Sequence, residues 1–153
     1  MLGNSLDANK PPHITLAGLR IWVHGRQFPD AEDYDDANWL RVTAQCTAEG
    51  AMVQVSGYFI HLSEIADWVD QCERLKTKLA GVANLECLEP ELSVYLSAEL
   101  LGHIAMRVKI TPDHMTQKHV FDFAIDQTYL NQLIQECRML LAEYPLKHVE
   151  HVQ

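Results

Sequence analysis

The sequence carries few of the signatures that announce a chemistry. Its four cysteines, Cys46, Cys72, Cys87 and Cys137, include no C-x-x-C pair, which removes the zinc-ribbon and thioredoxin spacings. No apolar run approaches the ~18 residues of a membrane helix, and Met1 to Lys10 has no apolar stretch of the secretory kind. There is no H-E-x-x-H, P-loop, G-x-G-x-x-G or G-x-S-x-G. Basic residues are scarce: 12 Lys and Arg stand against 21 Asp and Glu, a net charge of −9. A surface this acidic repels nucleic acid and anionic lipid, and it favours a basic partner. These absences lead us to expect a cytoplasmic protein with reduced thiols. They also lead us to expect no metal, no cofactor, no catalytic motif, and no nucleic-acid or membrane partner.

What is present is the pattern of one globular domain. With 153 residues, 48% of them hydrophobic, the chain is long enough to bury a core without disulfide or metal staples. Residues 1–12, ending Lys10-Pro11-Pro12, read as a flexible polar tail, and 13–153 as a single domain. From Ile14 to His24, Leu19, Ile21 and Val23 alternate with Arg20, Trp22 and His24, as in a half-buried strand; Gly18 interrupts the phase and reads as a bulge. Trp39 to Cys46 and Ala51 to Ile60, joined by Ala48-Glu49-Gly50, read as a hairpin. Ser63 reads as the cap of a helix with Ile65, Trp68, Val69, Cys72, Leu75 and Leu79 on one stripe, closed by Gly81. Leu92 to Ala98, Ile104 to Ile110 and Phe121 to Ile125 are further strands. Asp126 then caps a helix striped by Leu130, Leu133, Ile134, Cys137, Leu140, Leu141 and Tyr144 and stopped by Pro145.

The implied fold class is α+β: a mostly antiparallel sheet of about six to seven strands with two amphipathic helices packed on one face. The two helices superimpose residue for residue, Trp68 on Leu133 and Cys72 on Cys137, but the strands before them miss that offset by one. A one-residue miss reverses every strand face, so the repeat is carried by the helices alone. Cys46, Cys72 and Cys137 all fall on apolar phases, as core thiols do.

The densest local signal is Phe28-Pro29-Asp30-Ala31-Glu32-Asp33-Tyr34-Asp35-Asp36, with Trp39 just beyond. Three readings compete. A charge run is commonly a solvated face. A calcium loop would want Gly at its sixth position and Glu at its twelfth, and counting from Asp30 those positions hold Asp35 and Arg41. A binding surface is the third: Asp30, Glu32, Asp33, Asp35 and Asp36 would steer a basic partner, and Phe28, Tyr34 and Trp39 would anchor it. The histidines offer no metal site from spacing; His114 and His119 lack a third ligand, and His24 sits on a polar strand face.

The run Gln27-Phe28-Pro29-Asp30-Ala31-Glu32-Asp33-Tyr34, followed by Asn38-Trp39-Leu40 opening a strand, resembles the WapI-like family of bacterial immunity proteins. Glu89-Pro90-x-Leu92-Ser93, Ile110-Thr111-Pro112-Asp113-His114 and Ala142-Glu143-Tyr144-Pro145 extend the resemblance over about residues 14–145. It implies an immunity protein, not an enzyme, whose partner is a cognate toxin domain, often a nuclease, and it carries over no catalytic residue. A nuclease is basic because it binds phosphate, so an acidic protein fits the same surface. The expected assembly of the free protein is a monomer or weak homodimer. The alternative, from another class, is a small enzyme or ligand-binding domain. It would use a pocket over the polar sheet face near Trp22, His24, Arg41 and Tyr95.

Overall fold

The computed structural model describes residues 10–148. The tail expected over 1–12 lies outside the described residues up to position 9, as does His151. The alternating runs fold as eight strands rather than about six to seven, and they divide between two sheets rather than one. The first sheet is an antiparallel meander of β1 (Ile14–Leu16), β2 (Leu19–Arg26), β3 (Trp39–Ala48) and β4 (Ala51–His61), with α1 (Tyr34–Ala37) between β2 and β3. α2 (Leu62–Lys78) follows it. The second meander comprises β5 (Val82–Glu86), β6 (Leu92–Ala98), β7 (His103–Ile110) and β8 (Val120–Asp126), and α3 (Gln127–Glu143) follows it.

Two strand boundaries explain the revised count. The run from Ile14 reverses at Ala17-Gly18, where Ala17 takes φ 50°. Gly18 is therefore a turn residue, not a bulge. A Cβ there would lie 2.0 Å from the Thr47 carbonyl oxygen and 2.9 Å from the Phe123 ring, so only glycine fits. β5 was missed because Val-Ala-Asn-Leu-Glu is short and holds weak strand formers. Its order comes from elsewhere: Ala83 and Leu85 are buried, and the Asn84 N–H donates to Gln71 Oε1 at 2.9 Å.

The helices do not both lie on one face of a single sheet. They pack against each other, α2 along β5 and α3 along β1. That arrangement is two-fold in character. Gln71 on α2 accepts from the Asn84 N–H of β5, and Glu136 on α3 accepts from the Thr15 N–H of β1 at 2.9 Å. Glu73 and Arg138, 65 residues apart and equivalent in the two helices, form an ion pair. The halves thus share one plan, a four-strand meander followed by a 17-residue helix. The one-residue strand mismatch also has a cause. In β4 a bulge adds a residue, with Leu40 opposite Ile60 but Val42 opposite Gly57, and this shifts the phase of everything before it.

α2 starts earlier than Ser63. Its N-cap is His61, whose Nδ1 accepts from the Ser63 N–H at 3.2 Å, while Glu64 Oε1 accepts from the His61 N–H at 2.8 Å. This is a capping box with an imidazole in the usual hydroxyl's place. The helix ends at Leu79, before Gly81, with Leu79 in the left-handed region at φ 51° and half exposed. Leu79→Gly should therefore raise stability by about 1 kcal/mol, because a side chain is strained there and little burial is lost. An unchanged or lower urea midpoint would contradict this. Asp126 caps α3, accepting from the Thr128 N–H at 2.9 Å.

The inner faces of both sheets and the helix stripes merge into one core that includes Trp68, Phe59, Leu133, Cys46, Cys72 and Cys137. All four cysteines are free. Burial pushes the Cys46 thiol up to about 11 and, with nearby Glu73, the Cys72 thiol up to about 12. Cys137 is raised by burial, then by Cys72 and Glu136; Cys87 by burial, then by Glu64 and Glu91. A thiolate is the reactive form. Native labelling of Cys72 and Cys137 at neutral pH should therefore be slow and should accelerate on unfolding. Rapid labelling of both would show that the helix faces are misassigned.

Candidate functional site

The acidic segment leaves β2 at Arg26 and returns at β3. Its middle is a short helix, α1, because Asp33 caps it by accepting from the Asp36 N–H at 3.0 Å. Asp30, Glu32, Asp33, Asp35 and Asp36 are all exposed. Phe28 is 47% exposed and Tyr34 38%. Trp39, at the start of β3, is half-buried and sits edge-on to His61 with ring centres 5.0 Å apart. The eight residues expected to form a partner surface therefore occupy one continuous stretch, with Trp39 set deeper than the others.

What holds this stretch was not visible in its own residues. Asn38 is fully buried, and its amide donates to the carbonyls of Tyr34 at 2.8 Å and Lys147 at 2.9 Å. Its Oδ1 accepts from the Lys147 N–H at 2.8 Å. Arg26 donates to the carbonyls of Ala37, at 2.8 Å, and Pro145. Lys147 Nζ donates to the carbonyls of Pro29 at 2.9 Å and Ala31 at 3.3 Å. From the other side, His61 completes the clasp. Its Nδ1 accepts from Ser63, which leaves the ring proton on Nε2, facing the carbonyls of Tyr34 at 3.3 Å and Asp35 at 3.2 Å. The cations thus reach backbone carbonyls and leave the carboxylates outward. None of the ion pairs formed among the described residues involves those five acids.

The polar-face residues of the alternative reading are only partly gathered. Trp22, His24 and Arg41 line a groove of about 750 Å³ between the first sheet and α3, with Lys10, His13 and Tyr144. Tyr95 is on the second sheet, where Lys109 Nζ lies 5.4 Å from its ring centre, and takes no part. His13 and Lys10 were not singled out in sequence, although they flank the Pro11-Pro12 pair at the entry to β1. Among the described residues, no three His, Cys, Asp or Glu side chains are grouped to hold a metal ion. No helix among them is long and apolar enough to cross a membrane.

The family model of the immunity protein WapI-like family matches residues 13–145. The chain belongs to that family. The match spans both meanders and both long helices, so the resemblance drawn from the acidic segment and the strand-opening Asn38-Trp39-Leu40 holds for the fold as a whole. No curated protein and no solved structure is matched. As a WapI-like protein it has a general immunity role, and the clasped acidic segment, Asn38 and the C-terminal Tyr144-Pro145 turn all fall within the matched span or at its edge.

Proposed function

We propose that this WapI-like protein neutralises a basic, nuclease-type toxin domain in the cytoplasm, by stoichiometric binding rather than catalysis, through the acidic and aromatic surface of residues 28–36 and Trp39. The observation that carries this reading is the clasp. Asn38, Arg26, Lys147 and His61 fix the backbone of the segment while its five carboxylates face solvent. Placing like charges together in one fixed conformation is unfavourable in isolation and is compensated when a basic surface docks. Ordering the segment beforehand also lowers the entropy cost of binding. Phe28 and Tyr34 supply exposed rings of the kind that anchor interfaces, and Trp39 backs them from its half-buried position.

The test is a titration of the toxin domain with the purified protein. Toxin activity should fall linearly to zero at a fixed molar ratio and stay unchanged when the protein is preincubated without toxin. Phe28→Ala should speed dissociation by more than about tenfold, since removing a desolvated aromatic anchor acts mainly on the off-rate. Its melting temperature should not move, because that ring is largely outside the core. Turnover of toxin at substoichiometric protein would sink the binding reading and revive an enzymatic one.

A further inference from the structure

The two sheets have four edge strands, β1, β4, β5 and β8. An edge strand offers unpaired N–H and C=O groups to any strand that can reach it. Two of these edges are closed by the long helices. Glu136 of α3 accepts from the Thr15 N–H on β1, and Gln71 of α2 accepts from the Asn84 N–H and donates to the Asn84 carbonyl on β5, at 2.9 and 3.2 Å. A third, β8, carries exposed Asp122 and Asp126, and charge blunts an edge. β4 has neither protection. It is the longest strand among the described residues, with 11. Ala51 to Ile60 holds no charged residue and no proline, in a chain of net charge −9. The bulge between Gly57 and Ile60 interrupts the far half, so the regular edge runs from Ala51 to Gly57.

The hairpin decides which groups face outward. Ala48 and Ala51 close the two-residue turn Glu49-Gly50, so they exchange both of their ladder hydrogen bonds. Alternation then makes Cys46–Val53 and Ala44–Val55 bonded pairs as well, and it turns the N–H and C=O of Met52, Gln54 and Ser56 away from β3. Among the described residues, no hydrogen bond from another element reaches those backbone groups. The side chains of the same three residues share the face opposite Val53 and Val55, across from uncharged Thr47, Gln45 and Thr43. Gln54 Oε1 accepts from Gln45 Nε2 at 3.1 Å, which leaves the Gln54 amide nitrogen to donate elsewhere.

The geometry points to a second copy of this chain as the occupant of the β4 edge: two β4 strands pair antiparallel about a two-fold axis at Gln54 and join two first sheets into one of eight strands. In that register Gln54 faces Gln54 and Met52 faces Ser56, each pair exchanging two hydrogen bonds. Val53 faces Val55 on the inner side and continues the apolar surface of the core. An uncharged strand is where two acidic copies can touch without setting carboxylates against each other. The antiparallel pairing also sends the two acidic segments to opposite ends. Each is braced by His61, seven residues from the axis, so about 45 Å of strand separates them, far beyond the ~8 Å screening length. Both segments stay free, and the pairing does not depend on the toxin reading. A contact confined to one edge is small, which makes the dimer a weak one.

Analytical sedimentation of the full-length protein, in a concentration series up to about 1 mM, tests the pairing. A reversible monomer–dimer equilibrium is expected. Added salt should tighten it, because screening relieves the repulsion between two acidic chains. Gln54→Lys and Gln54→Glu each set like charges against each other at the axis and should weaken the dimer by more than about tenfold. Gln54 is exposed, so both variants keep the fold. Mixed in equal amounts they set Lys against Glu, and dimer should return. Gln54→Pro breaks the pairing in a second way: the N–H it removes is not used by β3, so the melting temperature should hold while the dimer is lost. A wild-type protein that stays monomeric at about 1 mM would overturn the proposal. So would a dimer of unchanged strength in folded Gln54→Lys and Gln54→Pro, or a Lys–Glu mixture that remains monomeric.

Discussion

Replacing Asp30, Glu32, Asp35 and Asp36 together with Asn or Gln is expected to slow association with a basic toxin domain by about ten- to a hundredfold at low salt. The dissociation rate should change much less. Carboxylates that face solvent act on an approaching partner before contact, through a field that salt screens over ~8 Å at physiological ionic strength. The loss should therefore shrink as salt is added, and the variant's on-rate should depend only weakly on salt. Asp33 is left out deliberately, because it caps α1 and its loss would disturb the segment's shape as well as its charge. The four replaced side chains are exposed, so folding should be unaffected. Stopped-flow association across a salt series is the measurement, and unchanged low-salt rates in the neutralised protein would dispose of the steering role.

Trp68→Ala is expected to cost about 3–5 kcal/mol, and Leu133→Ala about 2–5 kcal/mol. Both side chains are completely buried and occupy equivalent places on α2 and α3, within the one core shared by the two sheets. Removing either leaves a cavity between layers that cannot close without moving a sheet. Trp68 loses more, because its larger ring leaves the larger cavity and its indole also gives up a long hydrogen bond, 3.4 Å, to the Ala83 carbonyl on β5. Against a typical stability of about 5–15 kcal/mol, either change is large. Urea unfolding measures it, and a cost below about 1 kcal/mol at both positions would mean that the stripes do not face the core.

Much of this fold is written in local periodicity. The stripes of α2 and α3, the β3–β4 hairpin, β6, β7 and the Asp126 cap all follow from residues within one or two turns of each other. The division into two sheets is not local. Alternation gives each strand a face but says nothing about where one sheet stops, and that boundary is set by α2 leaving β4 and covering β5. The Ala17-Gly18 reversal was hidden for a related reason: what forces glycine at 18 is the Thr47 carbonyl and the Phe123 ring, both remote in sequence.

The same distinction runs through the candidate site. Exposure of the five acids could be read from charge alone. Their clasp could not, because Asn38 finds its partners 109 residues away at Lys147. His61, just past the expected strand end at Ile60, has no reading in the sequence, yet it closes β4 and its ring caps α2 and braces α1 at once. Trp22, His24 and Arg41 were rightly grouped by face; Tyr95 shares their strand phase but belongs to the other sheet.

The clasp has a kinetic consequence. Each meander joins strands that are neighbours in sequence, so its contacts close short loops and can form early. The link between Asn38 and Lys147 spans 109 residues and closes a long loop that takes in the second sheet and α3. The acidic surface is therefore expected to take its shape with the other long-range closures, such as Thr15 to Glu136 across 121 residues, after the meanders have formed.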